Sequence, residues 1–437
     1  MRIGRTLPPA AAPIGIREIA SGFRGIVHGQ KELDRFCLEL KEHFGVKHCF
    51  LVSSGKAALT LILLTLKELF PARDEVLIPA FTCYSVPSSI VRAGLKVRLC
   101  DLQPDSLDFD FAQLSTVLSE TSSSVHTDTF HFDDIGKGSG IVKRSSGSAE
   151  RLLAVIPTHL FGFPADVPRL RELIRDPEVT VVEDAAQAMG ETCKGKKLGI
   201  LGDVSFFSLG RGKAFSTVEG GIILTDRDDI AEKLKCHIAG LPSYGLWQVL
   251  KLVFKALALA LFIHPRFFWL PRSMPFLKLG ETLFDPHFPI LGMSSFQAGL
   301  ASNWQAKLQK LQDVRKRNVK LWIAVLEDQG SHALGFDHQV FGLIRFPIRV
   351  GDLEKRELLL RESTKRGLGI MPVYPDSIDG VLELKDYGGA QQFLVAKSYA
   401  GALVTLPTHD YLTQKDITKI SGLLSRNLPC QLFQSFS

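Results

Sequence analysis

The sequence predicts an α/β protein: a large first domain with a mainly parallel sheet flanked by helices, and a smaller α+β domain behind it. Three observations carry this. Short apolar runs of strand length alternate with helical periodicity from His48 to Thr225, the pattern of βαβ units. The chain of 437 residues exceeds what one hydrophobic core usually serves. A long helical stretch, Phe296 to Leu326, then leads into a C-terminal region with strands and helices of its own. The expected layout is an N-terminal arm over 1–20, a large domain over 21–310 with insertions at 119–150 and 243–287, and a small domain over 311–437.

In order, Leu33, Phe36, Cys37, Leu40 and Phe44 recur at helical spacing and predict an amphipathic helix between Gly29 and Gly45. His48 to Val52 reads as a strand, Ala57 to Leu69 as a helix, and Glu75 to Pro79 as a strand. A helix follows from Ser85 to Ala93, then a strand from Lys96 to Cys100. Ser119 to Ser148 is rich in Ser, Thr, Gly and Asp and predicts an exposed insertion. Strands resume at Leu153 to Pro157, Val179 to Glu183, Val204 to Ser208 and Gly221 to Thr225. The C-terminal region carries strands near Leu343 to Val350 and Ala402 to Leu406, with helices near Lys355 to Arg366 and Gln414 to Leu424.

Composition narrows the function classes. Hydrophobic residues make up 45% and charged residues 22%, ordinary for a globular enzyme. The net charge of +6 has no concentrated Lys/Arg run behind it, so nucleic acid is not the expected partner. Seven scattered cysteines without a C-x-x-C pair predict reduced thiols, no zinc site and a cytoplasmic setting. The N-terminal residues contain no signal-peptide pattern and read as an extended arm.

Chemistry-bearing residues stand at the strand ends. Ser53-Ser54-Gly55-Lys56-Ala57-Ala58 lies between a strand and a helix, where small residues let backbone N–H groups meet an anion. A serine-capped helix start would look the same, and the Walker pattern is excluded by Phe50 and Ala57. Asp184 ends an apolar strand, where such folds hold ligands, although it would also serve as a helix cap. Gln187 lies one turn on. Ser208 and Lys213 frame a turn with two glycines, Gly210 and Gly212, and Glu219-Gly220-Gly221 makes a second tight turn. A carboxylate at a strand end and a lysine in a turn can hold a pyridine ring between them. The acid keeps the ring nitrogen protonated and the amine forms a Schiff base with an aldehyde. Those are the two groups that pyridoxal phosphate needs from a protein.

The ordered set of segments resembles the DegT/DnrJ/EryC1/StrS family of pyridoxal phosphate-dependent sugar aminotransferases, of fold type I. The similar pieces are Val52 to Leu59, Ile78-Pro79-Ala80-Phe81-Thr82, Cys100 to Asp105, Ile156 to Gly162 and Glu183 to Ala188. Phe207-Ser208 with Gly212-Lys213, Glu219-Gly220-Gly221, Ser294 with Gln297-Ala298, and Leu406-Pro407 complete it. The resemblance implies a seven-stranded-type sheet, Lys213 as the Schiff-base lysine and Asp184 as partner of the pyridine nitrogen. It implies Gln187 beside the ring, and Ser208 with Gly55, Lys56 and Ala57 around the phosphate. It further implies an amino-acid donor such as glutamate, a keto-sugar acceptor linked to a nucleotide, and a homodimer. Relatives that remove a hydroxyl carry histidine in place of the lysine, so Lys213 favours amino transfer. Three positions depart from the family pattern: Cys83 stands where an aromatic ring stacks on the cofactor, leaving Tyr84 as the substitute. Ile290 and Gly292 replace an Asn and an Arg, and Lys56 replaces a small hydroxyl residue.

Leu246 to Ile263 is apolar apart from Gln248, Lys251 and Lys255, which share one helical stripe, and an aromatic-basic stretch follows to Arg272. Two lysines and a short length argue against a spanning helix. Two readings remain: an interfacial helix giving peripheral membrane contact through 246–272, or a helix buried against a neighbouring subunit or over the site. Two alternatives to the aminotransferase also stand, a lyase or aldolase using the same cofactor, and a non-catalytic membrane-surface scaffold.

Overall fold

The computed structural model describes residues 3–120, 151–274, 277, 279–280, 282–328, 339–387 and 393–427. The Ser-rich insertion therefore lies almost wholly outside the described residues.

The chain opens with an arm that does not hang free. Leu7, Ala11, Ala12 and Ile14 are buried, and the Leu7 N–H donates to the Gly367 carbonyl of the small domain. The arm gives way to helix α1 (Ile16–His28), which begins inside the span expected to be extended. The large domain follows: α2 (Gln30–Phe44), β1 (His48–Val52), α3 (Gly55–Leu69), β2 (Glu75–Pro79), α4 (Ser85–Arg92), β3 (Lys96–Cys100) and α5 (Phe111–Glu120). After the insertion come β4 (Leu152–Val155), α6 (Val167–Leu173), β5 (Thr180–Asp184), the small hairpin β6 (Thr192–Cys193) and β7 (Lys196–Lys197), β8 (Val204–Ser208), β9 (Gly221–Thr225) and α7 (Asp228–Ala239). Next stand α8 (Leu246–Phe262), α9 (Trp269–Arg272), α10 (Ser295–Leu300) and α11 (Trp304–Glu327). The small domain is β10 (Phe346–Arg349), α12 (Leu353–Arg366), β11 (Met371–Pro372), α13 (Leu394–Ala402), β12 (Leu403–Leu406) and α14 (Gln414–Asn427).

Seven strands form the main sheet in the order β1-β9-β8-β5-β4-β2-β3. The run from β8 to β3 is parallel, whereas β9 pairs antiparallel with both β8 and β1. Every residue of β4, β5 and β9 is buried, as expected of strands covered on both faces. Their continuous apolar runs are what made the strands readable. The three-stranded sheet of the small domain is antiparallel, with β12 between β10 and β11.

The helix expected from Phe296 to Leu326 is two helices. Asn303 takes a left-handed backbone (φ 58°) and turns the chain between α10 and α11. The reason lies in packing: α10 must lie against α1, and the two backbones nearly touch. A Cβ on Gly25 would sit 2.3 Å from the Ser295 carbonyl oxygen, and one on Gly299 would sit 2.4 Å from that of Ser21. Beyond the turn, α11 ties the domains together. Trp304 and Leu308 fill one cluster of the large domain, while Val319 and Trp322 join the cluster that runs on into the small domain. Trp322 is wholly buried and donates its indole N–H to the Pro407 carbonyl at 2.9 Å.

Candidate active site

Strand β5 carries two adjacent carboxylates, and alternation along a strand sends them to opposite faces. Glu183 turns into the fold. It accepts N–H groups from Gly199, Leu201 and Gly202 and bonds His159 Nε2 at 2.7 Å. Burial pushes its pKa up, but the His159 bond and the N–H donors hold it below the ordinary value. The Ala165 N–H donates to His159 Nδ1, so His159 must carry its proton on Nε2 toward Glu183. This pair fixes the end of β5 and leaves Asp184 for the site.

Asp184 is buried, and its Oδ1 accepts the Ala186 N–H at 3.0 Å; its other oxygen has no partner among the described residues. Burial pushes its pKa up, against the Ala186 N–H and the positive charge of Lys213. Lys213 responds in the opposite sense: burial pushes its pKa down, opposed by Cys83 and Asp184 and assisted by Arg345. No hydrogen bond or ion pair reaches its amine among the described residues. A partly desolvated, unpartnered amine beside a carboxylate is a nucleophile held ready.

The turn that presents Lys213 is held rigidly. The Lys213 N–H donates to the Gly210 carbonyl, and the buried Arg315 of α11 donates to the carbonyls of Lys213 and Ala214 at 3.2 and 2.8 Å. Leu209 exchanges backbone bonds with Gly220 and Thr217. Val218, a β-branched residue, is forced to φ 75° in the same turn, with its N–H held by Ser216 Oγ at 3.0 Å.

At the start of α3, Ser54 Oγ caps the helix by accepting the Ala57 N–H at 3.1 Å. The Ala57 N–H, expected to face a phosphate, is therefore already engaged, and the free donors of the first turn are Gly55 and Lys56. The Lys56 side chain turns away, its ammonium 3.7 Å from Asp285 and 4.3 Å from the centre of the Phe288 ring. Ser208 closes against this helix end: a Cβ on Gly55 would meet Ser208 Cβ at 2.9 Å. Two backbone donors and a hydroxyl thus converge at a positive helix terminus, a setting for an anion.

Gln187 stands between the domains. Its carbonyl oxygen accepts the Phe161 N–H at 3.2 Å, and its amide donates to the Tyr374 hydroxyl at 3.4 Å. Tyr84 is used differently from the cofactor stacking expected of it. Its hydroxyl exchanges bonds with the Asp376 backbone at 3.0 Å, and its ring stacks on Tyr374 with centroids 6.4 Å apart. Strand β2 ends at Pro79, so the alternation that would send Cys83 and Tyr84 to opposite faces does not apply; both turn toward the site, Cys83 within electrostatic reach of Lys213, Tyr374 and Arg345.

Two site residues escaped the sequence reading because the small domain supplies them. Tyr374 arrives from the loop after β11. Arg345 stands just before β10, its guanidinium 5.3 Å from the centre of the Phe161 ring. Burial pushes its pKa down, and no carboxylate pairs with it among the described residues. The readable signal was a lone arginine in an otherwise apolar run, Leu343-Ile344-Arg345-Phe346.

Comparison with known proteins identifies the family. A model of the DegT/DnrJ/EryC1/StrS aminotransferase family matches residues 17–246 and 291–425. The chain belongs to this family of pyridoxal phosphate-dependent, fold type I proteins. Curated relatives of this DegT-family chain include a GDP-perosamine synthase of Caulobacter vibrioides, 31% identical over 205 residues, covering 46% of this chain and 47% of that one. A GDP-4-keto-6-deoxy-D-mannose 3-dehydratase of Yersinia pseudotuberculosis is 25% identical, covering 45% and 44%. The chain thus spans about half the length of the curated relatives it matches. Among solved structures, Helicobacter pylori PseC, an aminotransferase of pseudoaminic acid biosynthesis, superposes with TM-score 0.72 at 16% identity, covering 97% of this chain and 99% of that one. The family match leaves out 247–290, the segment that holds α8 and α9.

Proposed function

We propose that this DegT-family chain is a pyridoxal phosphate-dependent aminotransferase that moves an amino group from an amino-acid donor, glutamate by preference, to a nucleotide-linked keto-sugar. The observation that carries the reading is the Lys213 amine, unpartnered among the described residues and within electrostatic reach of buried Asp184. The residues present suit the cofactor. Lys213 offers a free amine, Asp184 a free carboxylate oxygen, and Gly55, Lys56 and Ser208 a cradle that a side chain on Gly55 would fill. When bound, pyridoxal phosphate supplies an electron sink for the carbon next to the amine.

This chain's residues do the rest. Asp184, with one carboxylate oxygen unpartnered among the described residues, would hold a proton on the ring nitrogen of the bound cofactor. Lys213, with its pKa lowered, takes and returns the proton at the donor's α-carbon. Gln187 and Tyr374 close the site from the small-domain side. Arg345, a buried cation with no carboxylate paired to it among the described residues, binds a carboxylate of the donor. Retention of Lys213 favours amino transfer over the dehydration named for one relative. A homodimer and a cytoplasmic setting go with this reading; the six described cysteines are all unpaired thiols.

The test is mass spectrometry of products after incubation with glutamate and a panel of keto-sugar nucleotides. The expected product is a sugar nucleotide with an amine in place of its keto oxygen, formed together with the keto acid of the donor. Donor cleavage with the keto-sugar returned unchanged would instead mark a lyase.

A further inference from the structure

Helix α8 presents a surface that the proposed reaction does not use. One side, Leu252 and Ala256 flanked by Val249, Val253, Leu259 and Ala260, packs with Ile19, Phe296 and Leu300 of α1 and α10. The opposite side is not polar. Leu246, Trp247, Leu250, Phe254, Leu257 and Leu261 are all exposed, Trp247 and Phe254 at 77% and 72%. At about 3.6 residues per turn these six form one continuous stripe, and Lys251 and Lys255 lie along its border. Lys251 is exposed, while Lys255 reaches Glu219 at 3.2 Å. Just beyond the helix, Arg266 and Phe267 are exposed side by side. An apolar stripe this broad is unfavourable in water and calls for a cover.

Charge indicates the cover. From Leu246 to Gly280 the chain contains no Asp or Glu, but it contains Lys251, Lys255, Arg266, Arg272 and Lys278. A second copy of the chain seated face to face on this stripe would set basic residues against their own counterparts. An anionic lipid surface complements both the stripe and its border. Length excludes spanning: among the described residues no helix is long and apolar enough to cross a membrane. Apart from Leu246, the stripe also lies outside the residues matched by the family.

We propose that α8 docks this protein in the plane of an anionic membrane surface. The stripe of Trp247, Leu250, Phe254 and Leu257 enters the headgroup boundary, and Lys251 reaches back to the lipid phosphates. The docking is independent of which reaction the active site performs.

Co-sedimentation of the full chain with phosphatidylcholine vesicles, with and without phosphatidylglycerol, tests this. The protein should pellet with the phosphatidylglycerol vesicles, remain in solution with phosphatidylcholine alone, and be released as salt rises. The double variant Phe254→Gln/Leu257→Gln changes only exposed side chains. It should lose roughly tenfold or more of the partitioning while keeping its circular dichroism spectrum. Failure of the unaltered protein to pellet with phosphatidylglycerol vesicles would overturn the proposal, as would undiminished binding by the double variant. If the protein ignores vesicles and the variant turns a dimer into a monomer in sedimentation velocity, the stripe is a contact between copies and the proposal falls.

Discussion

Asp184 and Lys213 shift each other's protonation in opposite directions to their burial. Burial pushes each toward its neutral form, Asp184 up and Lys213 down, and the opposite charge of the other works against that push. Asp184 was singled out as an acid ending an apolar strand and Lys213 as a lysine among the turn glycines Gly210 and Gly212, both signals that lie within a few residues of sequence. Arg345 was not readable, because its relevance depends on a second domain folding over the first. Its proposed role predicts a specific kinetic signature. Arg345→Gln should raise KM for the amino-acid donor about tenfold to a hundredfold, as expected for loss of a charge-assisted bond, with KM for the sugar nucleotide nearly unchanged. Equal loss toward both substrates, read by steady-state kinetics, would remove Arg345 from donor recognition.

Helix and strand placement followed from periodicity wherever a segment's burial is one-sided or complete. All seven strands of the main sheet were legible, as was α2. The break between α10 and α11 was not, because it is imposed by the close approach of Gly25 and Gly299, a contact between distant parts of the chain. The start of α3 was read as an anion site or a serine-capped helix start; Ser54 does cap the Ala57 N–H, whereas the placing of Lys56 by Asp285 and Phe288 depends on a segment far along the chain. Gly55 is the test at this scale. Gly55→Ala improves helix propensity but drives a methyl group to 2.9 Å from Ser208 Cβ. The variant should fold with little change in stability while its affinity for pyridoxal phosphate falls roughly tenfold, measured by fluorescence titration. Unchanged affinity would mean that the anion lies elsewhere.

The molecule as a whole is closed by its arm. Arg5 pairs with Asp416 at 2.6 Å, and the buried His409 donates from Nε2 to the Pro8 carbonyl at 2.7 Å. Burial pushes His409 down from 6.5 to about 4. The folded state therefore holds a neutral histidine that the unfolded chain would protonate first. Its contribution is fully present above pH 6.5 and is lost as pH falls toward 4, up to about 3 kcal/mol. His409→Gln keeps a donor for Pro8 and removes the titration, so urea unfolding should weaken less for the variant than for the parent between about pH 7 and about pH 5. Parallel pH curves would exclude His409 as the source. The burial of the arm was not legible, since Leu7 and Pro8 find their partners at Gly367 and His409, and Ile14 packs with Leu252 and Phe296, all far away in sequence.

The central claim is that Lys213 is the residue that bonds the cofactor. Borohydride reduction of the purified, cofactor-loaded protein followed by peptide mass mapping tests it directly. The account predicts one reduced pyridoxyl adduct, on Lys213, and none on Lys213→Ala. An adduct on another lysine such as Lys56, or no adduct in a protein that still carries out amino transfer, would contradict it.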